Sequence, residues 1–319
     1  MMNIPRRQAV PTLAFVIPCY NEEEVIRETA GLLKKKLSRL ISEGVVTQDS
    51  TINFVDDGSS DSTWGIIEEL AKEHVFHGLK LSRNQGHQNA LLAGLLNVEG
   101  DVIISLDADL QDDIDAVEKM LEEYSNGAEI VYGVRAGRQR DTKFKRLSAE
   151  GYYRLLNALG VNLVFNHADY RLMTKRTLDA LSEFDEVNLF LRGIIPSLGF
   201  RTAIVEYDRL ERFAGESKYA LSKMLKLAWD GVTSFSNAPL RVITVLGFAT
   251  SFISICLICW TLAVRLFTER AIPGWASTVI PLVFLGGVQL LSLGVIGEYI
   301  AKIYLETKRR PKYLIDKRV

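Results

Sequence analysis

Two carboxylates and an amide alternate along Asp107-Ala108-Asp109-Leu110-Gln111, directly after the apolar run Val102 to Leu106. Extended backbone points alternate side chains to the same side, so this segment aims several oxygens at one place. Hard oxygen donors of this kind suit Mg²⁺ or Mn²⁺ holding a diphosphate. An acid-x-acid pair alone also fits a solvated loop, and its company decides the matter. Further polar clusters follow other apolar runs: Asn21-Glu22-Glu23, Asp56-Asp57-Gly58-Ser59-Ser60-Asp61, Ser82-Arg83-Asn84, and Arg135. Helix capping accounts for Asp61 and Ser62. It does not ask for Asp-Asp and Asp-x-Asp after successive strands, where repulsion among carboxylates favours a bound cation.

Read together, these groups suit a sugar nucleotide. Pro18-Cys19-Tyr20-Asn21-Glu22 and Asp56-Asp57 offer acceptors for base N–H groups and ribose hydroxyls. Arg212 and Lys218, in Arg212-Phe213-Ala214-Gly215-Glu216-Ser217-Lys218-Tyr219, supply cations for a diphosphate and equally suit anionic lipid. Gly215 would let that loop fold over a ligand. The chain has no Gly-x-x-x-x-Gly-Lys-Ser/Thr segment and no Gly-x-Gly-x-x-Gly after the first strand. Metal and side chains must therefore hold the phosphates.

The elements that position these groups read as an α/β domain with a mostly parallel sheet. Strands are predicted at Leu13 to Ile17, Thr51 to Val55, Leu79 to Leu81, Val102 to Leu106 and Ile130 to Tyr132, with helices at Glu23 to Leu40, Ser62 to Glu73, Gln88 to Asn97 and Ile114 to Ser125. Ligands of open sheets sit beyond the carboxyl ends of the strands, where the polar clusters fall.

The last third is different. Residues 242–264 and 276–297 carry no charge, and each run is near the ~20 residues that span hydrocarbon, which predicts two transmembrane helices. Their connection holds Arg265, Glu269 and Arg270. The outer flanks hold Lys218, Lys223, Lys226 and Arg241 on one side, and Lys302, Lys308, Arg309, Arg310, Lys312, Lys317 and Arg318 on the other. The positive-inside rule puts both flanks in the cytosol. Tyr219 to Phe235 alternates apolar and charged residues at helical spacing, as an interfacial helix does. Gly287 and Gly294 share a face that admits a close helix neighbour, either the first span or another subunit, which leaves a homo-oligomer open. The expected organisation is a catalytic domain over 1–216, a juxtamembrane helix over 217–238, a two-helix membrane segment over 239–304 and a basic cytosolic tail over 305–319.

Composition excludes several classes. A chain of 319 residues with 48% hydrophobic residues is not disordered, and a net charge of −1 provides no field for nucleic acid. Three scattered cysteines read as packing residues. Met1 to Gln8 shows no apolar signal region, so the front of the chain is expected to stay in the cytosol.

The set Pro18-Cys19-Tyr20-Asn21-Glu22, Val55-Asp56-Asp57-Gly58-Ser59, Arg83-Asn84-Gln85-Gly86, Asp107 to Gln111 and Arg212 to Lys218 resembles the inverting family-2 glycosyltransferases of GT-A fold. Within them it is most similar to the polyprenyl-phosphate group, which contains dolichol-phosphate mannose synthases and bactoprenol glucosyltransferases. The Gln-x-x-Arg-Trp signature of processive polysaccharide synthases is absent. The resemblance implies a GT-A nucleotide-diphospho-sugar transferase fold, with Mg²⁺ or Mn²⁺ on Asp109 and Gln111 and Asp107 close by. It implies nucleoside contacts from Pro18, Tyr20, Glu22 and Asp57, with Asp56 and Ala108 on the same rim. Diphosphate contacts fall to Arg135, Arg212 and Lys218, with Arg138 and Arg140 near enough to replace Arg135. Asp169, in His167-Ala168-Asp169-Tyr170-Arg171-Leu172, matches the family's acceptor-side acid. The catalytic set implied is Asp169, Asp109, Arg212 and Lys218.

The implied reaction is inverting transfer of a hexose, glucose from UDP-glucose, to undecaprenyl phosphate at the cytosolic face of the inner membrane. Mannose, galactose, N-acetylhexosamine or an aminopentose are the alternative sugars, and a non-catalytic membrane scaffold is the alternative role. A lipid phosphate has a second pKa near ~6 and is already largely dianionic at neutral pH. Positioning and charge neutralisation should then outweigh proton abstraction.

Overall fold

A computed structural model describes residues 9–109, 111–135, 167–186, 189–208, 238–267 and 275–319. These fall into two compact units, residues 9–208 with 310–319, and residues 238–309.

The first unit is one mixed sheet flanked by helices. Its strands are β1 (Leu13–Cys19), β2 (Thr51–Asp56), β3 (Phe76–Leu81), β4 (Val102–Ser105), β5 (Ile130–Arg135), β6 (His167–Thr174), β7 (Thr202–Tyr207) and β8 (Ile315–Arg318), in the order β7-β5-β6-β4-β1-β2-β3-β8. The helices are α1 (Ile26–Ser42), α2 (Thr63–Leu70), α3 (His87–Asn97), α4 (Ala116–Ser125), α5 (Lys175–Ser182) and α6 (Leu191–Ser197). β1 is buried along its whole length, as expected of a central strand covered on both faces. Helix α1 turns Ile26, Ala30, Leu33, Leu37 and Leu40 inward at helical spacing. A Cβ on Gly94 would lie 2.4 Å from Val16 Cγ1 and 2.8 Å from Val55 Cγ2, so only glycine lets α3 pack this closely on β1 and β2.

The five predicted strands and four predicted helices all form, within a few residues of their expected ends. The expectation of a mostly parallel sheet needs correction. β1 pairs β2 and β4 in parallel, as β2 does β3 and β5 does β7, but β6 runs antiparallel between β4 and β5, and β8 runs antiparallel on β3. β6 escapes a hydrophobic pattern because it carries Asp169 and Arg171, which pair with each other inside the protein.

The C-terminus is likewise more than a basic tail. Residues 310–319 return to the first unit and form the edge of its sheet. Gly78 and Val319 exchange backbone hydrogen bonds at 2.9 and 3.0 Å, and Ser82 N–H donates to Leu314 O at 2.9 Å. Lys312 Nζ donates to Phe184 O at 2.8 Å, and Tyr313 and Arg318 both bond Asn97. Charged side chains suit an exposed edge strand because they discourage further pairing, which explains part of the local basic bias.

The second unit holds α7 (Ala238–Phe267, 30 residues) and α8 (Trp275–Thr307, 33 residues), which contact each other. At 1.5 Å per residue they are about 45 and 50 Å long. Phe248, Phe252 and Trp260 of α7 and Phe284, Leu290 and Leu291 of α8 are exposed. Among the described residues, Phe284–Thr307 is the helix segment long and apolar enough to cross a membrane, displaced toward the C-terminus from the predicted 276–297. Tyr219 to Phe235, Arg212, Lys218, Arg138 and Arg140 lie outside the described residues.

Candidate active site

The carboxyl ends of β1 to β4 meet around a cavity of about 420 Å³. After β1, Asn21 adopts a left-handed backbone (φ 55°), which asparagine tolerates. Its side chain accepts from Ser60 N–H at 2.9 Å, and its own N–H donates to Ser59 Oγ at 3.0 Å. Glu22 N–H donates to Thr63 Oγ1 at 2.9 Å, so the β1 and β2 loops are laced together. The helix α2 is capped by Asp61, which accepts from Thr63 N–H at 3.0 Å; Ser62 makes no side-chain capping bond.

Asp57 binds the next loop. Its two oxygens accept from Gln85 N–H at 2.7 Å and Gly86 N–H at 2.9 Å. Burial raises its pKa, and those two donors oppose the rise. Asp56 has a different place: it is fully buried, accepts from Ser59 N–H at 3.2 Å, and does not line the cavity. Gly58 between them and the Arg83-Asn84 backbone is obligatory. Its φ is +69°, and a Cβ there would lie 2.6 Å from Arg83 C.

Asp107, Ala108 and Asp109 form the cavity wall after β4. Thr29 Oγ1 fixes this backbone by donating to Ala108 O at 2.9 Å. Burial pushes the Asp107 carboxyl up to about 6; His87 opposes this, while Asp112, Asp169 and Asp109 add to it. Gln111 is buried and donates its backbone N–H to Asp109 at 3.3 Å, but it does not line the cavity. Arg135 also stays out, engaged with Tyr207 OH at 3.3 Å and Asp112 at 3.5 Å.

The opposite wall comes from β6 and α6. Ser105 Oγ donates to Asp169 O at 2.6 Å and fixes the strand beside β4. The Asp169 carboxylate meets Arg171, Arg192 and His87. Its Oδ1 accepts from Arg171 Nη2 and from Arg192 Nε at 3.4 Å; its Oδ2 accepts from Arg192 Nη2 at 3.1 Å and faces His87 Nε2 at 3.3 Å. Burial alone would raise this carboxyl, but the His87 bond and the charges of Arg171 and Arg192 hold it well below the usual range. His87 Nε2 also lies 3.7 Å from Asp107 Oδ1, linking the two walls.

Pro18, Tyr20, Glu22, Asp57, Asp107, Ala108, Asp109 and Asp169 are therefore brought together as the sequence suggests, whereas Asp56, Gln111 and Arg135 are not. His87 and Arg192 join them without having been expected. His87 opens α3 immediately after the quoted Arg83 to Gly86 motif, which was its only signal; Arg192 stands in an apolar stretch that carries none. A larger depression, about 800 Å³, lies by Thr12 and Asp101 before β1 and β4 and holds none of the expected groups.

The family model described as "Glycosyl transferase family 2" matches residues 14–182, and that described as "GtrB C-terminal hairpin" matches residues 238–303. The chain is 51% identical over 317 residues to "Uncharacterized glycosyltransferase YkoT" of Bacillus subtilis strain 168, covering 97% of this chain and 93% of that one. It is 39% identical over 308 residues to "Bactoprenol glucosyl transferase" of Shigella phage SfX, covering 96% and 99%. It is 38% identical over 307 residues to the "Prophage bactoprenol glucosyl transferase homolog" of Escherichia coli strain K12, covering 96% and 98%. Acidic strand ends gathered on one cavity thus coincide with a family match over more than half of the chain, and the protein belongs to glycosyl transferase family 2, as a glycosyltransferase of GT-A fold.

Proposed function

We propose that the protein transfers glucose from UDP-glucose, with inversion, to the phosphate of undecaprenyl phosphate at the cytosolic face of the membrane. The observation that carries this reading is the near-full-length similarity to bactoprenol glucosyl transferases, hairpin included, in a chain whose cavity gathers the acidic motifs. Pro18, Tyr20, Glu22 and Asp57 would receive the nucleoside, and Arg212 and Lys218 the diphosphate.

A divalent cation fits the Asp107–Asp109 wall. Burial and the neighbouring carboxylates Asp112, Asp169 and Asp109 raise the pKa of Asp107, which a cation would relieve. Among the described residues no group of three or more His, Cys, Asp or Glu is arranged to hold a metal by itself. Two carboxylates completed by diphosphate oxygens and water match the way Mg²⁺ and Mn²⁺ are held with nucleotides. Gln111 is not part of that wall. The bound ion would supply Lewis-acid stabilisation of the leaving nucleoside diphosphate. The chain's own residues orient the donor so that a lipid phosphate oxygen forms the new bond to the anomeric carbon while the bond to the diphosphate breaks on the opposite side.

The helices α7 and α8 would anchor the catalytic unit, with residues 217–238 at the headgroup plane and the catalytic unit and C-terminus cytosolic. The reaction is tested by incubating purified protein with undecaprenyl phosphate and a panel of radiolabelled UDP- and GDP-sugars. Label should enter lipid from UDP-glucose in a Mg²⁺- or Mn²⁺-dependent way. Labelling from another donor alone would overturn the sugar, and no lipid labelling would overturn the acceptor.

A further inference from the structure

We propose that Arg192 receives the acceptor's phosphate and that Asp169 positions Arg192 instead of removing a proton. This rests on the reading of a lipid phosphate as acceptor.

A general base needs an oxygen within reach of the substrate's proton. An ionised carboxylate offers about four lone-pair sites, and four donor nitrogens already face those of Asp169: Arg171 Nη2, Arg192 Nε, Arg192 Nη2 and His87 Nε2. The side chain of Asp169 is 10% exposed, so the group is held inside this cluster. Beneath it lies Arg171, fully buried, with Nε and Nη1 making no hydrogen bond among the described residues. A buried guanidinium requires a counter-charge, and Asp169 supplies it. The one carboxylate of Asp169 is shared between the two guanidiniums of Arg171 and Arg192.

Of the two guanidiniums, the one that reaches the cavity is that of Arg192. Its side chain is 39% exposed and lines the same cavity as Asp107 and Asp109. The bidentate grip of Asp169 on Nε and Nη2 fixes the plane of the guanidinium, so a phosphate would meet a cation held in one orientation. Leu191 N–H donates to Gln88 Oε1 at 2.9 Å, tying the start of α6 to α3 next to His87. His87 spans the gap between Asp169 and Asp107. A phosphate seated on Arg192 therefore lies about one imidazole away from the carboxylates assigned to the donor side, which is where an attacking oxygen belongs. A phosphate dianion needs a cation and a fixed orientation there, and it needs no base.

The test is steady-state kinetics on full-length protein in detergent, varying undecaprenyl phosphate and UDP-glucose separately, for Arg192→Gln and Arg192→Lys. Loss of a charge-assisted contact predicts a rise in KM for the lipid of roughly 10-fold or more for Arg192→Gln and a smaller rise for Arg192→Lys, which keeps the charge and loses the planar group that Asp169 orients. KM for UDP-glucose and the affinity for UDP with Mn²⁺ should stay within about twofold, which a general loss of structure would not spare. An unchanged lipid KM in Arg192→Gln, or a fall confined to kcat, overturns the assignment. If wild-type protein glucosylates a polyprenyl phosphate and Arg192→Gln binds it normally, this inference alone fails; if wild type modifies no polyprenyl phosphate, the acceptor reading fails with it. Inorganic phosphate serves as the second arm. Competition against the lipid that disappears in Arg192→Gln marks recognition of the phosphate, whereas inhibition that persists in the variant contradicts it.

Discussion

Four donors from three side chains close on Asp169, so the effect of removing it depends on what stays behind. Asp169→Asn leaves the buried Arg171 without a counter-charge, and breaking a buried pair in this way costs about 3–5 kcal/mol. The folded-state pKa of Asp169 is depressed, hence its contribution is present above the ordinary value of 3.8 and is lost only as pH falls through the lower folded value. Thermal melts of wild type and Asp169→Asn in detergent should show a gap that persists between about pH 5 and 8 and narrows, without closing, as pH rises through the raised His87 value. A gap that closes within that range contradicts the ion cluster. Low activity in this variant then partly reports folding, although the dianionic acceptor leads us to expect some turnover to survive. Asp109→Asn is the cleaner probe of the donor side. Loss of one charge from the cation wall should lower turnover on the order of 100-fold or more with either Mg²⁺ or Mn²⁺, measured as lipid-dependent UDP release; full activity would contradict the metal assignment. Gly58→Ala tests the backbone itself. A positive φ and a Cβ 2.6 Å from the Arg83 carbonyl carbon predict destabilisation of about 1–3 kcal/mol or more, read as a lower melting temperature.

The elements around the cavity divide into those that carry side chains to it and those that hold the carriers in place. β1, β2 and β4 deliver Pro18, Asp57 and Asp107 because each ends where the chain leaves the buried sheet, and α3 is drawn against β1 and β2 by Gly94. No residue of β8 lines the cavity, yet the segment leading into it braces two neighbouring loops: Leu314 O takes Ser82 N–H just before the Arg83 to Gly86 segment, and Lys312 holds Phe184 O in the approach to α6. Deleting residues 310–319 should therefore lower the melting temperature by roughly 5 °C or more, since several backbone hydrogen bonds worth about 1 kcal/mol each are lost. Protease digestion should locate new cleavage near residues 82–86 and 184–185. An unchanged melt would show that the edge strand contributes nothing to the sheet.

At the scale of the whole molecule, the chain leaves its catalytic unit, forms the α7–α8 pair and then returns to complete the sheet. A truncation at residue 237 removes the edge strand together with the hairpin. A variant in which residues 238–309 are replaced by a long Gly/Ser linker keeps β8 and should melt at a higher temperature than the plain truncation. Equal stability of the two would contradict the structural role of the returning strand. Exposed Phe248, Phe252, Phe284 and Leu290 predict that the full-length chain stays with membranes after carbonate washing, while the linker variant is released.

The amino-acid sequence alone determined the alternation of strands and helices up to Ile130, the acidic motifs and the change to long apolar helices, because periodicity, turn chemistry and charge are local properties of the chain. Eight of the expected site residues, from Pro18 to Asp169, met for the same local reason: each follows or occupies a strand of one sheet. Tertiary structure decided the rest. Asp56 sits beside Asp57, and Gln111 two residues after Asp109, yet only Asp57 and Asp109 line the cavity. β6 was hidden because its charges cancel only across space, in the Asp169–Arg171 pair, and β8 because its partner β3 lies more than two hundred residues earlier in the chain. Arg192 became part of the site solely by folding onto Asp169, since a lone cation in an apolar stretch has no spacing to announce it.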